Sequence, residues 1–198
     1  MNVMRIRLPF FAIILFALIS CTEVVFDPQI KPDPEIEIQA SGDSTIHFLA
    51  LGDSYTIGQS VNTELRWPVQ LADSLNAQGW NCLSPQIIAR TGWTTDELDN
   101  GIDQAMPHDT FDLVSLLIGV NNQFRNRPVS TFIPEFDALL LRAISFAQGD
   151  TGSVFVLSIP DYGFTPYGQS NNPDQIGREI DIYNAAADSI CADYGIPF

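Results

Sequence analysis

The stretch His47-Phe48-Leu49-Ala50-Leu51-Gly52-Asp53-Ser54-Tyr55-Thr56-Ile57-Gly58 is an apolar run that stops abruptly at a serine set among small and polar residues. It reads as a strand delivering Ser54 into a sharp turn. A serine hydroxyl is a weak nucleophile at its free pKa. A catalytic Ser54 therefore needs a base within hydrogen-bond reach and N–H donors aimed at the developing oxyanion. Gly-Asp-Ser is also ordinary turn and cap chemistry, so the rest of the chain has to decide between the two readings.

Working outward from that strand, short β-type runs alternate with longer helical patterns. This is the signature of an α/β domain with a mostly parallel sheet. Strands are expected near Thr45 to Leu51, Gln86 to Ala89, Leu113 to Ile118 and Ser153 to Ile159. Helices are expected near Trp67 to Gln78, Thr95 to Met106, Thr131 to Gln148 and Pro173 to Tyr194. Thr94 and Thr95 before Asp96-Glu97, and Ser130 before Thr131 and Glu135, are helix-start signals. Gly195-Ile196-Pro197-Phe198 reads as the turn out of the last helix and the first step of a fifth strand. A parallel sheet wants such a strand paired and covered, so the domain is expected to be incomplete at its C-terminus.

The chain has 198 residues, 45% of them hydrophobic, which suits one domain with a sizeable core. Its 24 acidic residues against 9 basic ones give a formal charge of −15, and Lys31 is the only lysine. That balance excludes nucleic acid as a partner, because phosphate binding needs clustered Lys and Arg. Residues 1–20 look like a leader: Arg5 and Arg7 open it, and Leu8 to Ile19 is apolar but too short to span a bilayer comfortably. The run ends in Leu18-Ile19-Ser20-Cys21, which resembles the bacterial lipobox. By that resemblance Cys21 is the lipidated first residue of the mature protein, which places it in the bacterial cell envelope, held to the membrane. Residues 21–44 mix proline with acidic residues and read as an extended tether, leaving 45–198 as the domain. Cys82 and Cys191 could pair outside the cytoplasm or stand as buried thiols, and their spacing suggests no metal site.

In open parallel sheets the ligand site lies beyond the carboxyl ends of the strands. Ser54 follows the first strand, Arg90-Thr91-Gly92-Trp93-Thr94-Thr95 the second, and Gly119-Val120-Asn121-Asn122 the third. A glycine lets a backbone N–H approach a reacting oxygen, and an asparagine side chain is a neutral amide donor. The Ser54 and Gly92 N–H groups and the Asn121 amide would make a three-donor oxyanion hole.

These blocks resemble those of the SGNH/GDSL hydrolase superfamily of esterases and lipases. Gly52-Asp53-Ser54-Tyr55 is similar to its first block, with Tyr55 where leucine is commonest. Gly92 corresponds to the second, and Gly119-Val120-Asn121-Asn122 to the third, with Asn122 in place of the usual aspartate. The resemblance implies a three-layer α/β/α, flavodoxin-like fold, an acyl-enzyme on Ser54, and Gly92 and Asn121 in the oxyanion hole. It implies no cofactor and no metal. Trp93, Phe124 and Tyr162, with Phe164 nearby, fall in strand-end loops where they could line a pocket for a small-molecule, lipid or glycan ester. Arg90, Arg125 and Arg127 could contact an anionic or sugar substrate, or offset the acidic surface.

The family takes its base and orienting carboxylate from an Asp-x-x-His motif after the fifth strand, and no such motif occurs in these residues. His47, seven residues before Ser54 on one strand, is expected roughly 20 Å away. His108 is expected at the amino end of the third strand. The expectation is thus a serine esterase whose 198 residues are inactive or feeble without that motif. The alternative is a lipid-anchored, non-catalytic glycan- or acyl-binding protein on the same fold. A nucleotide or flavin binder is disfavoured, because Asp53 stands where phosphate would sit.

Overall fold

The structure, a computed structural model, describes residues 45–107 and 110–198. The leader, the tether with Cys21, and His108 lie outside the described residues. In chain order the elements are strands β1 (Thr45–Ile46) and β2 (Phe48–Gly52), helices α1 (Ser54–Ile57) and α2 (Trp67–Ala77), strands β3 (Asn81–Cys82) and β4 (Gln86–Ala89), and helix α3 (Thr95–Ala105). Then come β5 (Leu113–Leu117), α4 (Val120–Phe124), α5 (Val129–Phe146), β6 (Val154–Val156), α6 (Pro166–Gln169) and α7 (Pro173–Tyr194).

The main sheet is parallel throughout, in the order β4-β2-β5-β6. All five residues of β2 are buried, as befits a strand covered on both faces. On one face Leu49, Leu51, Val114, Leu116, Val154 and Val156 pack against Leu98 and Ile102 of α3, Phe132 to Ala143 of α5, and Ile176 to Cys191 of α7. On the other, Phe48 and Ala50 meet Ala72 and Cys82, with Trp67, Leu71 and Leu75 of α2 around them. Alternation along each strand thus divides the core between two layers of helix, giving the α/β/α sandwich. Burying a leucine such as Leu49 is worth about 1.5–3 kcal/mol, so the sheet is the most strongly held part of the molecule.

Three expected elements differ from the sequence reading by more than a residue at a boundary. The strand over Thr45 to Leu51 is two pieces, because His47 turns its backbone to Asp112: its N–H donates to the Asp112 carboxylate at 2.8 Å, and its carbonyl accepts from Asp112 N–H at 3.0 Å. β1 consequently pairs with β3 in a separate two-stranded sheet. α5 starts at Val129 rather than Thr131, after Pro128, whose extended backbone sets the first turn, and Ser130 makes no cap. The strand expected over Ser153 to Ile159 is only Val154–Val156. Before it, Asp150 accepts from Gly152 N–H and closes a turn of 3-10 helix, Thr151–Ser153; after it, Asn184 of α7 takes over both backbone groups of Ile159. At the last helix, Gly195 forms the C-cap, and Pro197 C=O accepts from Val156 N–H of β6 at 3.0 Å. Cys82 and Cys191 are buried, unpaired thiols.

Candidate active site

Gly52 at the end of β2 stands level with Ala89 of β4 and Leu117 of β5. Ser54, Gly92 and Asn121 follow that level by two, three and four residues, so three adjacent strand ends carry them to one edge of the sheet. Ser54 is the first residue of α1 and is half-buried. The turn that presents it requires glycine at 52, where a Cβ would stand 2.2 Å from Thr56 Oγ1 and 2.5 Å from the Leu117 carbonyl. Asp53 caps α1, its Oδ1 accepting from Tyr55 N–H at 3.0 Å. Its other oxygen is buried without a partner, and burial pushes its carboxyl up to about 7, against the smaller opposing pull of the Tyr55 N–H.

The two other candidate donors, Gly92 and Asn121, are held by neighbouring bonds. Gly92 has a φ of +87°, a conformation open to glycine, and its carbonyl accepts from the Arg125 guanidinium at 2.5 Å. The same guanidinium donates to Glu97 at 2.9 Å, which holds that carboxyl below its usual range. Asn121 donates one amide N–H to the Trp93 carbonyl at 2.8 Å. An amide NH₂ has two donors, so this bond fixes the group while the second N–H remains for a ligand oxygen.

Asn122, the departure noted in the sequence, is fully buried. Its Oδ1 accepts from Thr95 N–H at 3.1 Å, and its Nδ2 donates to Thr95 Oγ1 at 2.7 Å. Thr95 in turn donates to Glu135 of α5. An amide serves the place because it offers one acceptor and one donor to the two groups of Thr95. Below it, Glu97 accepts from Thr94 N–H at 3.0 Å, closing the expected start of α3.

The residues suggested for substrate contact separate into groups. Trp93 lies over Gly101 of α3, where any Cβ would come within 2.2 Å of its ring. Phe124, Tyr162 and Tyr167 form an aromatic trio with centroids 6.1, 6.1 and 6.4 Å apart. Phe124 and Tyr167 are exposed, as is Phe164 beyond them. Tyr162 donates to Gln123 at 2.9 Å. Burial raises the Tyr55 phenol, with Asp53, Tyr162 and Asp161 adding to the shift. Arg125 and Arg127 are engaged by Glu97 and Asp96, whereas Arg90 joins none of these pairs. His47 stands at the opposite end of β2 from Ser54, its imidazole 3.1 Å from Asp112. It is the one histidine among the described residues, and it supplies no base to Ser54. Arg66, Gln123 and Tyr167 were not singled out from sequence; their places depend on loops that meet only in the fold.

Residues 50–198 match the model of the GDSL-like Lipase/Acylhydrolase family. Among solved structures the chain is similar to TesA, at 17% identity with a TM-score of 0.59 over 77% of this chain and 76% of that one. It is similar to AlinE4, an SGNH-hydrolase family esterase, at 18% identity and a TM-score of 0.58 over 78% and 75%. The lipase/acylhydrolase from Enterococcus faecalis matches at 18% identity and 0.59 over 77% and 74%. At these identities the structural likeness is one of fold. No curated protein matches the sequence.

Proposed function

Because the chain belongs to the GDSL-like lipase/acylhydrolase family, we propose that it is a serine ester hydrolase with Ser54 as nucleophile and Gly92 and Asn121 as oxyanion donors. The observation that carries this reading is the convergence of the three on adjacent strand ends, with Asn121 tied to the carbonyl next to Gly92. Ser54 Oγ attacks the ester carbonyl carbon and gives its proton to a base. The carbonyl oxygen becomes an oxyanion held by Ser54 N–H, Gly92 N–H and the Asn121 amide. Collapse expels the alcohol, which takes the proton back, and water then releases the acid from the acyl-enzyme.

The base is not among the described residues. In this reading residues 1–198 alone turn over feebly, and a chain that also carries the family's Asp-x-x-His pair turns over at full rate. The test is hydrolysis of p-nitrophenyl acetate by both forms and by Ser54→Ala in each. The longer form is expected to be active and to lose about a thousandfold or more with Ser54→Ala. Undiminished hydrolysis in Ser54→Ala would overturn the nucleophile. No turnover by either form, with tight binding of an acyl or glycan ligand, would favour the non-catalytic alternative.

The proposal extends to placement: residues 1–20 as leader, lipidated Cys21, a tether over 21–44, and an envelope-bound domain over 45–198. The leader and the serine-cysteine boundary support it. Incorporation of radiolabelled palmitate in a bacterial host, abolished by Cys21→Ala, is the expected result. Substrates are small-molecule, lipid or glycan esters, with Trp93, Phe124 and Tyr162 as the side chains offered to them.

A further inference from the structure

Beside the candidate oxyanion loop lies an open cleft of about 560 Å³, lined by Ile57, Gly58, Gln59, Ser60, Val61, Arg66, Ala89, Arg90 and Thr91. One wall is the chain leaving α1, and the other is the end of β4 leading into Gly92. Thr91 Oγ1 donates to Gln59 across the cleft and joins the two walls. Its charge runs against that of the protein as a whole. In a chain with 24 acidic and 9 basic residues, the lining holds two arginines and neither Asp nor Glu.

Elsewhere Arg125 meets Glu97, Arg127 meets Asp96, and Arg142 meets Asp99 and Asp103, while Arg178 is exposed on α7 outside these pairs. Arg66 and Arg90 join none of the ion pairs among the described residues. The Arg66 stem packs against Gly58, where a Cβ would lie 2.6 Å from its Cγ. Its Nε is buried with no hydrogen-bond partner. With no acceptor on Nε the guanidinium is left uncompensated within the fold, and its planar fork suits a carboxylate or a phosphate.

We propose that this cleft is a subsite for an anionic group on the substrate, a carboxylate or phosphate oxyanion carried by the acyl or alcohol part of the ester and held by Arg66 and Arg90. The subsite rests on the reading of Ser54 as nucleophile, because its place beside α1 and Gly92 is what makes its occupant part of the substrate. In an acidic protein an anion is repelled from the surface at large, so two uncompensated arginines select where it can settle. The apolar lining is small, limited to Ile57, Val61 and Ala89, which suits a polar group better than an acyl chain.

Isothermal titration at low salt with three probes tests this: trigalacturonate as the carboxylate, glycerol 3-phosphate as the phosphate, and xylotriose as the neutral control. One anionic probe is expected to bind about tenfold tighter than xylotriose or better, losing that advantage in Arg66→Gln/Arg90→Gln and as salt is raised. Which probe binds tells an acidic sugar from a phosphate ester. Arg90→Lys, which keeps the charge, is expected to stay within a few-fold of the native chain. Near-ultraviolet circular dichroism checks that each variant is folded. Equal affinity for all three probes, no binding at all, or anion binding untouched in a folded double variant overturns the subsite. Ser54→Ala should bind the anion as the native chain does. Anion binding that persists where hydrolysis proves independent of Ser54 would remove the nucleophile reading and leave a plain anion site.

Discussion

The two flanks of Ser54 are built on opposite plans. Toward β4 and β5 every loop is cross-braced: Arg125 spans Gly92 and Glu97, Asn121 holds the Trp93 carbonyl, and Asn122 holds both polar groups of Thr95. Toward β6 the chain runs through a short 3-10 turn, Tyr162–Phe164, and the four-residue α6, leaving Phe124, Phe164 and Tyr167 exposed. The contrast follows from the chemistry proposed. Donors to an oxyanion act only if they are fixed before the charge develops. A surface that receives varied substrates does better with adaptable side chains on a loop.

The largest effect expected on the braced flank is one of pH. The Asp53 carboxyl titrates near 7 in the fold against 3.8 when unperturbed, because burial disfavours its charge. Between those values the folded state binds a proton that the unfolded chain has released, so this group lowers stability as pH rises through the window. The loss is on the order of 4 kcal/mol at most and is complete above about pH 7. Urea unfolding from pH 4 to 8 should show Asp53→Asn gaining on the native chain as pH rises. A difference between the two that stays constant across that range would mean Asp53 is not buried as described.

Next comes Asn121→Ala, which removes a donor and leaves the nucleophile in place. In the form that hydrolyses p-nitrophenyl acetate, kcat should fall roughly 100- to 1000-fold with KM little changed. A change confined to KM would make Asn121 a ground-state contact and would weaken the case for a braced oxyanion site.

Much of that flank was legible in the sequence, because buried parallel strands read as continuous apolar runs and their ends are marked by Gly52, Gly92 and Gly119. Ser54, Gly92 and Asn121 could therefore be placed at neighbouring strand ends from spacing alone. The bracing could not. Asn122 meets Thr95 across 27 positions and Asn121 meets Trp93 across 28, and no local pattern encodes such pairs. Arg125 looked as available to a substrate as Arg90, until Glu97 and the Gly92 carbonyl were found to occupy it. The break at His47 was hidden for a similar reason: its cause is Asp112, which a reading of residues 45–52 does not contain.

Arg125→Met sharpens the comparison further. The variant keeps much of the side-chain stem but frees the Gly92 carbonyl and leaves Glu97 without its guanidinium. A fall of about tenfold in kcat is expected, since the N–H of Gly92 is then aimed only by its own loop. Arg125→Lys should not restore it, because a single ammonium cannot reproduce the planar two-way bridge. Full activity in Arg125→Met would show that the loop holds its shape unaided.

The smallest effect belongs to the opposite flank. Tyr167 lies against Phe124 and Tyr162 but is more than half exposed, at 55%. Its replacement by alanine removes contacts made largely at the surface, so stability should change by no more than about 0.5 kcal/mol. If the trio receives substrate, the loss should be found in KM, rising a few-fold for esters with a bulky alcohol or acyl part and not for p-nitrophenyl acetate. That split is the discriminating reading, since a residue that only props up the loop would disturb kcat for every ester alike. A uniform fall in kcat for Tyr167→Ala would make the β6 flank part of the fixed machinery, and the difference between the two sides of Ser54 would then be one of exposure rather than of function.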